Sequence, residues 1–224
     1  MASIPTFGFS AFLRVICLNE KPQKTAIFNR HSPAEDGGYD YHRKLKSSIQ
    51  SLASGSRSLR EVLKEIALIK SPSERRSTKQ GVVKFLRWLS RNGSTVTFCE
   101  PIVFDSPLGL FKVRFEANCV VEINGRRTAL HVWNTQQPKL REREVIAALK
   151  MVQRVTSREA DLVDDFAVLS LRDGHLYKWS DNPSAYKKFA DSILIQLDRL
   201  CSLARAEYGL PQIKQGPDPA HPYA

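Results

Sequence analysis

No CxxC pair, no Cys/His cluster and no unbroken apolar run of membrane-spanning length occurs in this 224-residue sequence. Its four cysteines, Cys17, Cys99, Cys119 and Cys201, stand apart, which argues against a zinc site. Cys99 and Cys119 lie in apolar runs, where a free cysteine acts as a small core residue. A reducing, cytoplasmic setting is therefore expected. The apolar opening Phe7–Leu18 is interrupted by Arg14, has no basic residue before it and is too short to span a bilayer. Neither a signal peptide nor a membrane partner is expected. Internal repeats are also missing. Acidic residues are too few to balance the basic ones: 23 Asp and Glu face 34 Lys and Arg, for a net charge of +11. Such an excess favours a polyanionic partner, nucleic acid first.

What is present divides into three parts. Residues 1–56 read as an N-terminal arm or helical extension, 57–210 as the core domain, and 211–224, with three prolines after Gln212, as a disordered tail. In the arm, Phe7, Phe9, Phe12, Leu13, Ile16 and Cys17 recur with helical spacing. A polar loop through Gly37-Gly38 follows, then a helix from Tyr39 to about Leu52. The Ser- and Gly-rich run Ser47–Ser58 reads as a linker.

Ser58 and Glu61 match a capping box ahead of an amphipathic helix ending near Ile69. A second helix is expected from Ser73 to Arg91, closed by Gly93 in a left-handed conformation. Three strands are expected next, over Thr95–Phe104, Phe111–Ile123 and Thr128–Thr135, with Asn124-Gly125 as a tight hairpin turn. A helix over about Lys139–Arg154 follows. A hairpin around Asp173-Gly174 comes next, then a long helix begun by Asn182-Pro183 and stopped by Gly209 and Pro211. This order means α/β or α+β, with a central mixed sheet flanked by helices.

The charge is segregated. Residues 71–92 hold six Lys or Arg against one Glu, and residues 136–156 hold five against two; the strands between balance at four and four. Lys79, Lys84, Arg87 and Arg91 follow helical spacing, and Lys139, Arg141 and Arg143 crowd the start of the next helix. Cations at a helix start oppose its dipole, which hints at a use. With Arg126 and Arg127 of the hairpin, these residues are expected to line one nucleic-acid-facing rim, giving affinity and salt dependence but little sequence reading. Asp161, Asp164 and Asp165 read as a cap or solvated turn, and His42 has no visible catalytic partner.

Residues Ser77–Thr135 carry a resemblance. Ser77-Thr78-Lys79-Gln80 on a helix, Glu100-Pro101 in a strand, Asn118 ahead of Val120-Val121-Glu122-Ile123-Asn124-Gly125, and Val132-Trp133-Asn134-Thr135 ending a strand follow one order. That order is similar to the core of the PD-(D/E)XK nuclease superfamily, in the manner of transposon-end endonucleases. The resemblance implies a restriction-endonuclease-like core. It also implies that the helix glutamate has become Gln80, the strand aspartate Asn118, the next glutamate Val132 and the lysine Asn134. Mg²⁺ wants carboxylate oxygens and gives up its water reluctantly, so neutral amides and a valine predict no metal, no cofactor and no hydrolysis.

The expectation is a pseudoenzyme that binds DNA, or serves as a non-cutting subunit with protein partners in a DNA-processing, mobile-element-like assembly. Two alternatives stand beside it. One is an active Mg²⁺-dependent endonuclease using Glu116 or Glu122, which share the strand face of Asn118. The other is a protein–protein interaction subunit.

Overall fold

A computed structural model describes residues 4–32, 41–93, 96–156, 163–181, 186–211 and 213. The chain is a mixed α+β protein. Among the described residues it runs β1 (Thr6–Gly8), α1 (Phe9–Cys17), α2 (Glu20–His31), α3 (Arg43–Ala53), α4 (Leu59–Ala67) and α5 (Pro72–Asn92). Then come β2 (Val96–Thr97), β3 (Ile102–Asp105), β4 (Lys112–Phe115), β5 (Cys119–Ile123), β6 (Arg126–Trp133) and α6 (Glu142–Thr156). The chain finishes with β7 (Asp165–Ser170), β8 (Leu176–Lys178) and α7 (Lys187–Glu207).

Two sheets form, in the orders β1-β4-β3 and β2-β5-β6-β7-β8. Strands β5 and β6 make an antiparallel hairpin, and α6 carries the chain over to β7, which runs parallel to β6. At the hairpin tip Asn124 and Gly125 both take positive φ, +52° and +74°, as a two-residue turn that matches strand twist requires.

Side chains alternate along the strands, so each face of the larger sheet carries its own apolar cluster. Leu130 and Val132 of β6 join Val82 and Phe85 of α5 on one face, together with α3 and α4. Ala129 and Trp133 join α1, α6 and α7 on the other. Phe7, Phe9 and Phe12 lie in that second cluster. Phe7 meets Phe111 edge-on at 5.7 Å and Phe9 meets Phe115 at 4.8 Å. Residues 4–32 thus share a core with the strands and helices that follow.

Several boundaries differ from the sequence reading. The expected first strand is two strands in different sheets, broken at Cys99-Glu100-Pro101, and the second breaks at Glu116-Ala117-Asn118. Proline has no N–H for a ladder, and Pro101 sits at one of these breaks. The serines of residues 47–53 lie within α3 rather than in a linker. Ser58 and Glu61 do form the capping box, and Ser71, with Pro72 at the first helical position, caps α5.

Gly93 is extended, at φ −147°, not left-handed. It is glycine because an added Cβ would come 2.1 Å from Val121 Cγ1. In α7 the buried stripe ends on Ala204, with Leu203 facing outwards. No described helix is long and apolar enough to cross a membrane. Gly37-Gly38, Asp161, Asn182-Pro183 and the tail from 214 fall outside the described residues.

Candidate nucleic-acid interface

Asn118 sits where the chain leaves the smaller sheet for the larger one. Its backbone N–H donates to the Leu130 carbonyl at 2.8 Å. Its side-chain oxygen accepts from the Val132 N–H at 2.7 Å. This buried amide takes the place of a ladder partner that the break in the strand removes. Two residues further along, the Asn134 amide bonds the Ser77 hydroxyl of α5 at 3.1 Å. Gly81, one turn on, faces the same way: a Cβ there would lie 3.4 Å from Asn134 Nδ2, an ordinary contact, and 2.8 Å from a Leu45 methyl of α3. Asn118, Val132, Asn134 and the N-terminal half of α5 therefore come together.

Gln80 does not join them; it is exposed. The face of α5 that meets the sheet runs through Glu74, Ser77, Thr78, Gly81 and Phe85, at helical spacing. Glu74 is the buried carboxylate on this face, at 3 % exposure. Sequence reading passed over it, although Ser71 three residues earlier is a capping signal.

Asn118, Val132 and Asn134 offer a Mg²⁺ ion no carboxylate. Asn118 gives its oxygen to Val132 N–H, Val132 is apolar, and Asn134 donates from its Nδ2 to Ser77. Glu116 is exposed, its carboxylate 3.6 Å from Arg114 Nε. Glu122 is exposed on β5, across the ladder from Arg127. Among the described residues, no three His, Cys, Asp or Glu side chains gather closely enough to hold a metal.

On the opposite face of β6, His131 is buried. Its Nδ1 donates to the Glu116 carbonyl at 3.0 Å, so Nε2 accepts from Ser10 Oγ at 2.8 Å. Burial pushes its pKa down to about 4, so it is neutral at pH 7. Burial likewise raises the thiols of Cys119 and Cys201 to about 12. Neither thiol is a nucleophile at neutral pH.

The nine cations expected on one rim divide. Helices α5 and α6 pack on opposite faces of the sheet, so they cannot line a common rim. Arg141 and Arg143 both turn to the buried carboxylate of Glu144, at 3.1 and 3.5 Å. Arg141 also donates to the Ile16 carbonyl, and Arg143 lies 4.0 Å over the Phe189 ring. Arg126 donates to the Asp164 carbonyl, and the Arg127 N–H to the Asp164 carboxylate at 2.7 Å. Asp165, by contrast with the solvated turn expected, is buried and accepts from Ser180. Lys79 and Lys139 are exposed and stand apart from either cavity described below.

Lys84, Arg87 and Arg91 do come together. They line a cavity of about 540 Å³ between the C-terminal half of α5 and the β7–β8 hairpin. Arg172 of the hairpin adds a fourth cation, and Trp88 forms part of the wall. Lys84 Nζ donates to the Leu171 carbonyl at 2.7 Å, which holds that rim in place and leaves the ammonium with further protons to give. Among the described residues, no carboxylate pairs with Arg87, Arg91 or Arg172. The single acid of the cavity, Asp173, accepts from the His175 N–H within its own turn. Trp88 and Arg172 were not singled out in the sequence. Spacing could have found Trp88, four residues from Lys84; Arg172 needed the fold.

A larger cavity, of about 760 Å³, opens at the start of α3 and the α4–α5 junction. It has Arg43, Lys44 and Lys70 on its walls, but also the buried carboxylate of Glu74. Its charge is thus the more nearly balanced of the two. Comparison of the chain with protein-family models and with curated proteins finds no match.

Proposed function

We propose that this chain is a nuclease-like domain that holds nucleic acid without cutting it, as a non-cutting subunit of a DNA-processing assembly. The observation that carries this reading is the cavity beside α5. Four cations line it against one carboxylate, and among the described residues no carboxylate pairs with Arg87, Arg91 or Arg172. Uncompensated cations in one concave site attract a phosphate chain and release its counterions on binding.

The nuclease-like part of the reading is supported by chain order. Helix α5, the β5–β6 hairpin and helix α6 follow one another in the order of the resemblance. Asn118, Val132 and Asn134 meet where the resemblance would put the reacting centre, and all three are committed to packing or to hydrogen bonds within the chain. Transposition as a setting is an analogy from the resemblance alone.

Two measurements test this. In a salt series, DNA affinity should fall steeply as salt rises; no binding at low salt contradicts the reading. With Mg²⁺ or Mn²⁺ the protein should leave supercoiled plasmid intact. Metal-dependent product that Glu116→Ala or Glu122→Ala abolishes would replace this reading with the active-nuclease one.

A further inference from the structure

The cavity beside α5 is more than a basic patch. Its lining includes three leucines, Leu169 and Leu171 buried and Leu176 half-buried. Trp88, half-buried, stands at its side, and the cations Arg87, Arg91 and Arg172 ring the opening. We infer that this cavity takes an unstacked nucleobase, with the neighbouring phosphates held at the rim, so that the protein prefers single-stranded nucleic acid to duplex. This rests on the nucleic-acid reading above and narrows it to a substrate class.

The chemistry of the lining selects that ligand. A duplex shows phosphates outside and keeps its base faces stacked inside. It could use the cations but would leave the half-buried indole of Trp88 and side chain of Leu176 against water, without reward. An unpaired base offers a flat apolar face to the indole and to Leu176. Its polar edge finds the exposed backbone of the Arg172–Gly174 turn. Asn92 is held in place at the same opening by its bond to the Trp88 carbonyl at 2.8 Å. The volume lies in the range of sites that enclose one small ligand. The preference would be blind to sequence, because every base has a face to stack. DNA and RNA strands share this chemistry, and the test includes both.

The experiment compares labelled strands of about 12 nucleotides, a duplex of the same length and an abasic strand, by fluorescence anisotropy at fixed low salt. The single strand is expected to bind at least about fivefold more tightly than duplex, the lower bound for one stacked base. The abasic strand should lose that advantage.

Binding should also quench tryptophan emission, and Trp88→Phe should remove the quench, because the other two tryptophans, Trp133 and Trp179, pack on the other face of the sheet. Phe keeps a packed ring, so this variant also guards against simple unfolding. Arg172→Gln, on an exposed turn, should weaken single-strand binding without changing the melting temperature. Equal or tighter binding of duplex, or of the abasic strand, overturns this inference and leaves the nucleic-acid reading standing. So does a quench that survives Trp88→Phe. Failure of every nucleic acid to bind overturns both.

Discussion

Two basic regions of this molecule look alike in sequence and differ in structure. One is the C-terminal half of α5 with the β7–β8 turn; the other is the β5–β6 hairpin tip with the start of α6. Both are rich in arginine. In the second, each arginine has been put to use within the fold: Arg141 and Arg143 on Glu144, Arg126 and Arg127 on Asp164. In the first, Arg87, Arg91 and Arg172 line an open cavity and, among the described residues, pair with no carboxylate. Net charge therefore says little about which surface binds. What counts is the charge left over after the protein has paired its own groups.

The comparison predicts a division of labour: the α1–α6 face of the sheet should carry stability, and the α5 rim should carry binding. The largest effect expected is on acidification. His131 has a folded pKa of about 4, against an ordinary value of 6.5, because burial disfavours its charged form. The unfolded chain therefore binds a proton that the folded chain refuses between these values. Stability from this group is complete above pH 6.5 and falls as pH drops towards 4, by roughly 3 kcal/mol. Denaturant titrations at several pH values, wild type against His131→Gln, isolate it. A loss identical in the two would show that His131 is not its source.

Next comes Gly93→Ala. Its Cβ meets a core valine on β5, and overpacking of this kind costs about 1–3 kcal/mol. Gly81→Ala should cost less, because the atoms it meets, at 2.8 and 2.9 Å, are the methyl ends of the Leu45 side chain, and alanine favours the helix by about 1 kcal/mol. Thermal melts rank the two, and the reverse order would mean that the sheet, not Leu45, yields.

Smaller again is Arg141→Gln with Arg143→Gln. Glu144 would stay buried without a cation, but both arginines are about half exposed, so water screens much of the loss. About 1–2 kcal/mol of stability should go, with nucleic-acid affinity unchanged. The smallest stability effect belongs to Arg87→Gln, Arg91→Gln and Arg172→Gln together, whose melting temperature should match the wild type.

Much of the fold could be read beforehand, because it rests on local signals. The Ser58–Glu61 capping box, the Asn124-Gly125 turn and the alternation that places Val132 on one face of β6 and Trp133 on the other are all present in the structure. The break in the first expected strand had a local sign in Pro101, which cannot donate to a ladder, but the break in the second had none. At Asn118 a side chain stands in for a backbone partner, and nothing local announces that. The candidate site was legible on the strands and misread on the helix. Gln80 was matched by its place in a pattern, but helix phase turns it outwards and turns Ser77 and Gly81 in. The cations were seen as one group because pairing depends on distant residues. Glu144, Asp164 and Ile16 decide which arginines remain free, and only the fold brings Ile16 to Arg141.

One measurement tests this directly: the salt dependence of nucleic-acid binding by two charge-matched triple variants. Arg87→Gln/Arg91→Gln/Arg172→Gln removes three cations with no carboxylate partner among the described residues, and Arg127→Gln/Arg141→Gln/Arg143→Gln removes three that pair with carboxylates. Both lower the net charge equally. The first should weaken binding and flatten the log–log salt slope by about 2, at roughly 0.7 per phosphate contact on a single strand. The second should leave both as in the wild type. Equal losses in the two variants would mean that overall charge, and not the cavity beside α5, binds the nucleic acid.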